Sequence, residues 1–172
     1  MDAHSGQFRK GGDGVAYAVH PIHMAMILSS VGASDTVVQA ALLHDVVEDC
    51  EEWTPERLEA EFGSAVASIV ADLTEDKSMT WEERKRAAID HINHMQDDSV
   101  LVKAADKLHN LESLAAQLEV AEKPGKVWSL FNGGRERTLA MDRELVMTLQ
   151  GRAPALLAEQ LGAAFARVER LA

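Results

Sequence analysis

Apolar residues recur at steps of three and four along most of the chain. One set is Ala65, Val66, Ile69, Val70 and Leu73; a longer one is Leu101, Ala105, Leu108, Leu111, Leu114 and Leu118; a last one is Leu157, Leu161, Phe165 and Val168. This is the spacing of helices with one buried face. Nowhere does a period of two persist, so no strand is predicted. Punctuation divides the pattern. Pro21 suits the first turn of a helix that ends near Val31, with Gly32 as its stop. Ser34 or Asp35 can cap the next helix, and Thr54-Pro55 opens one that Gly63 ends. Thr80 with Glu83 matches a capping box before a basic helix to about Met95. Asp98 or Ser99 starts the long helix that Pro124-Gly125 breaks, and further helices are predicted over 134–149 and from Pro154 to Leu171. Ala3 to Arg9 has the look of a helix end, followed by a flexible loop at Gly11, Gly12 and Gly14. There is no internal repeat, linker or low-complexity segment. The expectation is all-α: a single-domain helical bundle over residues 1–172.

Composition narrows the function. A chain of 172 residues, 47% of them apolar, has the length and core of one domain. Seventeen basic against 28 acidic residues give −11, which repels a nucleic-acid polymer while leaving room for a small anion at a local basic island. The lone cysteine, Cys50, excludes an intramolecular disulfide framework and suits a reducing compartment. No signal segment or membrane-length apolar run is visible, so a cytoplasmic protein with no membrane partner is expected. The stripe ending at Val168 is taken as core, with a homo-oligomer contact as the alternative. The methionines at 24, 26, 95, 141 and 147 are taken as core filler.

The stretch "AALLHDVVEDC", residues 40–50, changes the picture. As a helix it would stack His44 over Glu48 and Asp45 over Asp49 on stripes about 100° apart. Three carboxylates and an imidazole this close would repel or shift one another unless a cation joined them. His20 at the start of the preceding helix and Asp106 in "VKAADKLHN" are further candidates, although spacing alone does not single them out. Two histidines with two carboxylates suit a six-coordinate Mn²⁺ or Fe²⁺ better than a closed tetrahedral zinc site. Arg9-Lys10, Lys77 and Arg84-Lys85-Arg86 are the conspicuous positive islands.

Four motifs, "AHSGQFRK", "AYAVHP", "AALLHDVVED" and "VKAADKLHN", occur in order. Together they resemble the hydrolase domain of the RelA/SpoT family, within the HD phosphohydrolase superfamily. The length and the stretch "LTEDKSMTWEERKR" resemble most the stand-alone small alarmone hydrolases, including the metazoan SpoT homologues. The likeness runs from about Ala3 to Gly151 and leaves an extra helix at 154–171. It implies metal ligation by His20, His44, Asp45 and Asp106, usually of Mn²⁺, with Fe²⁺, Zn²⁺ or Co²⁺ as alternatives. It implies a catalytic pair, Glu48 and Asp49, that positions water and transfers protons. It implies substrate contacts from Arg9, Lys10, Tyr17 and Asn110, with less defined roles for Lys103 and Lys107 and a loose match for Arg135 and Arg137. The implied reaction removes pyrophosphate from the 3′ position of (p)ppGpp, leaving GDP or GTP. The same site acting on adenosine alarmones, or on the 2′-phosphate of NADPH, is a second reading. A nucleotide-sensing HD module without turnover is a third.

Departures from the family pattern are Ala16 where proline usually precedes the loop tyrosine, and Cys50 where threonine is common. In isolation each signal has a plainer meaning. A His-Asp dipeptide is commonly a surface pair, His20 before Pro21 a helix cap, Asp106 an ion-paired core carboxylate, and Arg84 to Arg86 a solvated helix face. His4, His23, His91, His94 and His109 are taken as structural or surface residues.

Overall fold

The computed structural model describes residues 2–11 and 14–172. Among these residues, ten helices follow a short 3₁₀ turn at Asp2–His4: α1 (Val19–Ser30), α2 (Asp35–Leu43), α3 (Val46–Asp49), α4 (Pro55–Phe62), α5 (Ser64–Leu73), α6 (Trp81–His91), α7 (Asp97–Val120), α8 (Pro124–Trp128), α9 (Gly134–Gln150) and α10 (Ala155–Leu171). Most boundaries follow the local chemistry. Gly32 takes φ +76°, and the bonds from Gly32 N to Ser29 O and from Ala33 N to Leu28 O close α1 with a Schellman motif. Ser34 and Thr54 cap α2 and α4 through their side chains, and Thr80 with Glu83 makes the expected capping box on α6.

Helix α7 is the hub and packs against α1, α2, α5, α8, α9 and α10. Val102, Ala104, Ala105, Leu108, Leu111, Leu114, Ala115 and Leu118 are buried around most of its circumference. The stripe left over carries Lys103, Asp106, Lys107, Asn110, Ser113 and Gln117, and this stripe faces a cavity. Helix α10 lays Leu157, Leu161, Phe165 and Val168 on α7 and α9, so that stripe belongs to the core of the chain itself. Burying each such side chain contributes roughly 1.5–3 kcal/mol.

Several expectations need correction. The first residues form no helix end beyond the 3₁₀ turn; Phe8 instead makes an isolated antiparallel bridge with Ala16, through Arg9 N to Val15 O and Tyr17 N to Gln7 O. The expected glycine loop falls partly on Gly12 and Asp13, outside the described residues. Helix α6 ends at His91, before Met95. The motif at 40–50 is two helices, not one. Helix α2 stops at Leu43, because His44 turns inward and its Nδ1 donates to Ala41 O (2.9 Å), the carbonyl that a continuous helix would offer to the Asp45 N–H. Of the methionines taken as core filler, Met26 and Met147 are exposed.

Candidate active site

A cavity of about 790 Å³ runs along the polar stripe of α7, between the N-terminal segment, α3, α6 and the start of α9. At its floor the helices α1, α2 and α7 bring three ligand atoms together. One atom each from His20, His44 and Asp106 lie within 4.8 Å of one another. His20 Nε2 is 3.2 Å from Asp106 Oδ1, and the His20 and His44 rings cross edge to face at 5.1 Å. Asp45 stands beside this group: its Oδ2 is 2.9 Å from His44 Nε2 and accepts the Tyr17 hydroxyl.

The arrangement fits a divalent cation. His44 spends its Nδ1 proton on the Ala41 carbonyl, which leaves the lone pair on Nε2. That Nε2 is buried and, among the described residues, only the Asp45 carboxylate stands close to it, without well-formed hydrogen-bonding geometry. Burial alone would lower the His44 pKa, yet the Asp45 and Asp106 carboxylates outweigh burial and raise it. Burial likewise pushes the Asp106 carboxyl toward its neutral form, but His20, Lys103 and His44 together hold it well below the usual carboxylate range. The pocket therefore demands positive charge at the point where the buried lone pair and the two carboxylates converge.

On the rim above lie Glu48 and Asp49. Lys77, from the loop between α5 and α6, donates to Asp49 Oδ1 (2.8 Å) and to the Glu48 carbonyl (2.6 Å). The Glu75 N–H reaches Glu48 Oε2 at 3.4 Å. Burial pushes the Glu48 pKa up, and the Asp45 and Glu75 charges add to it against that backbone bond and Lys77. One end of the cavity is basic: Arg84, Lys85, Lys103 and Lys107 line it, balanced by Glu75 and Asp142. Among the described residues, Arg84 Nε is buried there without a hydrogen-bond partner. The other end carries fewer charges, with Phe8, Ser113, Leu114, Gln117 and Leu130 beside Lys10. Between them Arg9 donates to Asn110 Oδ1 (2.6 Å), and Asn110 Nδ2 donates to Asp106 Oδ1 (2.6 Å). Gly11, at φ +68°, is closely approached by Gln117 and by Leu130 Cδ1, which a Cβ would meet at 2.9 Å. Burial, with Asp45 next, drives the Tyr17 pKa far up, so this hydroxyl remains a donor.

The cavity thus gathers His44, Asp45, Glu48, Asp49, Arg9, Lys10, Tyr17, Lys103, Asp106, Lys107 and Asn110 from three separate stretches of the chain, with His20 behind the wall. Arg135 and Arg137 are not part of the lining; Arg137 donates to the Gly133 and Asn132 carbonyls and stacks near Trp81. The basic run of α6 is split by helical geometry: Arg84 and Lys85 face the cavity, whereas Arg86 pairs with Glu144 on the surface. Sequence reasoning missed two neighbours of the site, His109 and Glu75, and gave Lys77 only as a positive island. His109 is buried with its Nδ1 2.7 Å from His20 Nδ1; its place three residues after Asp106, on the same helix, was the available signal. Burial, then the positive potential of His20 and Arg9, lowers the His109 pKa to about 4. The contacts of Lys77 and Glu75 come from a loop and leave no periodic trace.

Residues 1–138 match the family described as HD domain. Over 115 residues the chain is 46% identical to the guanosine-3′,5′-bis(diphosphate) 3′-pyrophosphohydrolase MESH1 of Danio rerio, which is 66% of this chain and 63% of that protein. The match therefore spans less than two thirds of that relative's length. A guanosine-3′,5′-bis(diphosphate) 3′-pyrophosphohydrolase of Vibrio cholerae is 40% identical over 121 residues, 67% of this chain and 17% of that protein. A solved structure, reported as a metazoan orthologue of SpoT that hydrolyses ppGpp, aligns with a TM-score of 0.80 at 34% identity, covering 96% of this chain and 88% of the other. Such coverage at that identity extends to the whole bundle, and the chain belongs to the HD domain family, in the group that includes the metazoan SpoT orthologue.

Proposed function

We propose that this protein is a metal-dependent 3′-pyrophosphohydrolase of (p)ppGpp-like nucleotides. One observation carries the reading: a single cavity joins the His20–His44–Asp106 group, its two histidines buried, to the Glu48–Asp49 pair, a basic end and a less charged end. In this reading His20, His44, Asp45 and Asp106 hold Mn²⁺, with Fe²⁺, Zn²⁺ or Co²⁺ able to replace it. The ion would supply Lewis acidity at the phosphoryl group and make water more acidic.

The protein's own groups do the rest. Asn110 and Arg9 place the ribose and nucleoside beside Asp106, with the base toward Leu114, Gln117 and Leu130. Arg84, Lys85, Lys103 and Lys107 offset phosphate charge. Asp49, held by Lys77, orients water toward the phosphorus nearest the ribose. Glu48, whose raised pKa suits it to carry a proton, delivers one to the 3′ oxygen as the P–O bond breaks. Water gives its hydroxyl to phosphorus and its proton to the acid-base pair, so the products are pyrophosphate and GDP or GTP.

Product analysis tests this. Purified protein with Mn²⁺ is incubated separately with ppGpp, pppGpp, ppApp and NADPH. Pyrophosphate with GDP or GTP is expected. Products from ppApp alone, or free phosphate from NADPH alone, would transfer the site to the second substrate class. Tight binding without product under any metal would replace the enzyme with a nucleotide-sensing module. Among the described residues no helix is long and apolar enough to cross a membrane, and the charge of −11 argues against a nucleic-acid polymer as partner.

A further inference from the structure

The catalytic reading leaves one buried contact unused. His109 lies on α7 one turn beyond Asp106 and points away from the cavity toward α1. Its Nδ1 is 2.7 Å from His20 Nδ1, with the ring centres 4.8 Å apart. Its Nε2 is 3.5 Å from Ser113 Oγ, and the His23 ring meets it edge-on at 5.0 Å. Two neutral imidazoles can share this contact in only two ways. If His109 Nδ1 donates, the His20 proton sits on Nε2, where it faces Asp106 and blocks ligation. If His20 Nδ1 donates, its Nε2 lone pair is free, and the His109 proton moves to Nε2, opposite the Ser113 hydroxyl oxygen. Only the second arrangement allows His20 to ligate a metal. The pair passes between them without a change in charge.

We propose that His109 is a positioning residue for the metal centre: it accepts the Nδ1–H of His20 and fixes the tautomer and ring orientation in which His20 Nε2 faces the ion. The other histidine ligand has its counterpart in the Ala41 carbonyl, which accepts the Nδ1–H of His44. The two imidazoles are therefore oriented by different acceptors, one on the backbone and one on a side chain. Mutation can remove only the second. Partners of this kind commonly govern metal affinity by ~10–100-fold.

The proposal rests on the metal site described above, and its test separates the two. Binding of Mn²⁺ is titrated by EPR without nucleotide for the wild type, His109→Leu and His109→Gln, with circular dichroism as the check on folding. His109→Leu keeps bulk and loses the acceptor, so its affinity should fall ~10–100-fold. His109→Gln retains an acceptor oxygen and should recover most of that loss, which a role in packing alone would not produce. Long-range ¹⁵N–¹H spectra of the wild type loaded with diamagnetic Zn²⁺ provide a readout that needs no variant. They should show His20 protonated at Nδ1 and His109 at Nε2. Wild-type affinity in folded His109→Leu, or a His109 proton on Nδ1 in the loaded protein, would overturn the proposal while leaving the metal site standing. A wild type that binds no dication would remove both.

Discussion

The two ends of the cavity are built differently. The floor, with His20, His44 and Asp106, is set on α1, α2 and α7, which pack against one another through fully buried side chains such as Met24, Leu28, Ala40 and Ala105. The nucleoside end rests on the segment around Phe8 to Tyr17. That segment is tied down by one β-bridge, by Arg9 to Asn110, by the Tyr17 hydroxyl to Asp45, and by Gln117 Nε2 to the Lys10 carbonyl. In the proposed function, geometry for bond breaking is thus placed on the bundle, while recognition is placed on backbone that a few polar contacts hold. They are bridged by Asn110, which touches both Arg9 and Asp106, and by Tyr17, which donates to Asp45. Changes at the floor should strike metal and turnover together, and changes in the segment should strike KM.

The largest effect is expected for Asp106→Ala. Metal binding should vanish, and turnover should fall beyond the ~10²–10³-fold that loss of a single transition-state donor costs. Metal analysis beside product formation checks both. Glu48→Gln should keep the metal and lose ~10²–10⁴ of kcat. It also carries a pH signature. Because burial raises the folded-state pKa of Glu48, its favourable contribution exists below the unfolded carboxyl pKa and is lost as pH rises through the folded value. The Gln variant should therefore melt higher than wild type at neutral pH, and the gap should close in acid. Equal melting curves at pH 7 would contradict the half-buried placement of Glu48.

Smaller effects belong to the other end. Arg9→Ala breaks a charge-assisted hydrogen bond worth ~1.5–3 kcal/mol. KM should rise ~10-fold or more, with a lesser change in kcat and metal retained. A pure loss of kcat would mean that the loop acts on the chemistry after all. The smallest change is expected from Ala16→Pro. The bridge uses the N–H groups of Arg9 and Tyr17 and not that of Ala16, so proline removes none of its bonds. It should stiffen the segment and add ~0.4–1 kcal/mol of stability, read as a modest rise in Tm with kcat unchanged.

Helices, caps and the buried stripes were legible in the sequence because they depend on local spacing and on single residues such as Thr80, Gly32 and Gly63. The break between Leu43 and Val46 was not. It arises from a tertiary choice, His44 turning its ring into the core, which no periodicity records. The site residues were legible largely through motif resemblance, since His20 and Asp106 lie 86 residues apart and only the packing of α1 on α7 joins them. Lys77 and Glu75 act from a loop. His109 lay within a quoted motif, yet one buried helical histidine resembles any other until its neighbour across the interface is seen. Met26 and Met147 illustrate the opposite error, apolar residues that the fold leaves in water.

The central claim is that imidazoles on α1 and at the end of α2 share one dication with aspartates from the α2–α3 turn and α7. Anomalous diffraction from crystals of the Mn²⁺-loaded protein tests it most directly. The account predicts one strong manganese peak within bonding distance of His20 Nε2, His44 Nε2 and carboxylate oxygens of Asp45 and Asp106. Loaded crystals with no peak at that point, or with the metal bound by other residues, would contradict it.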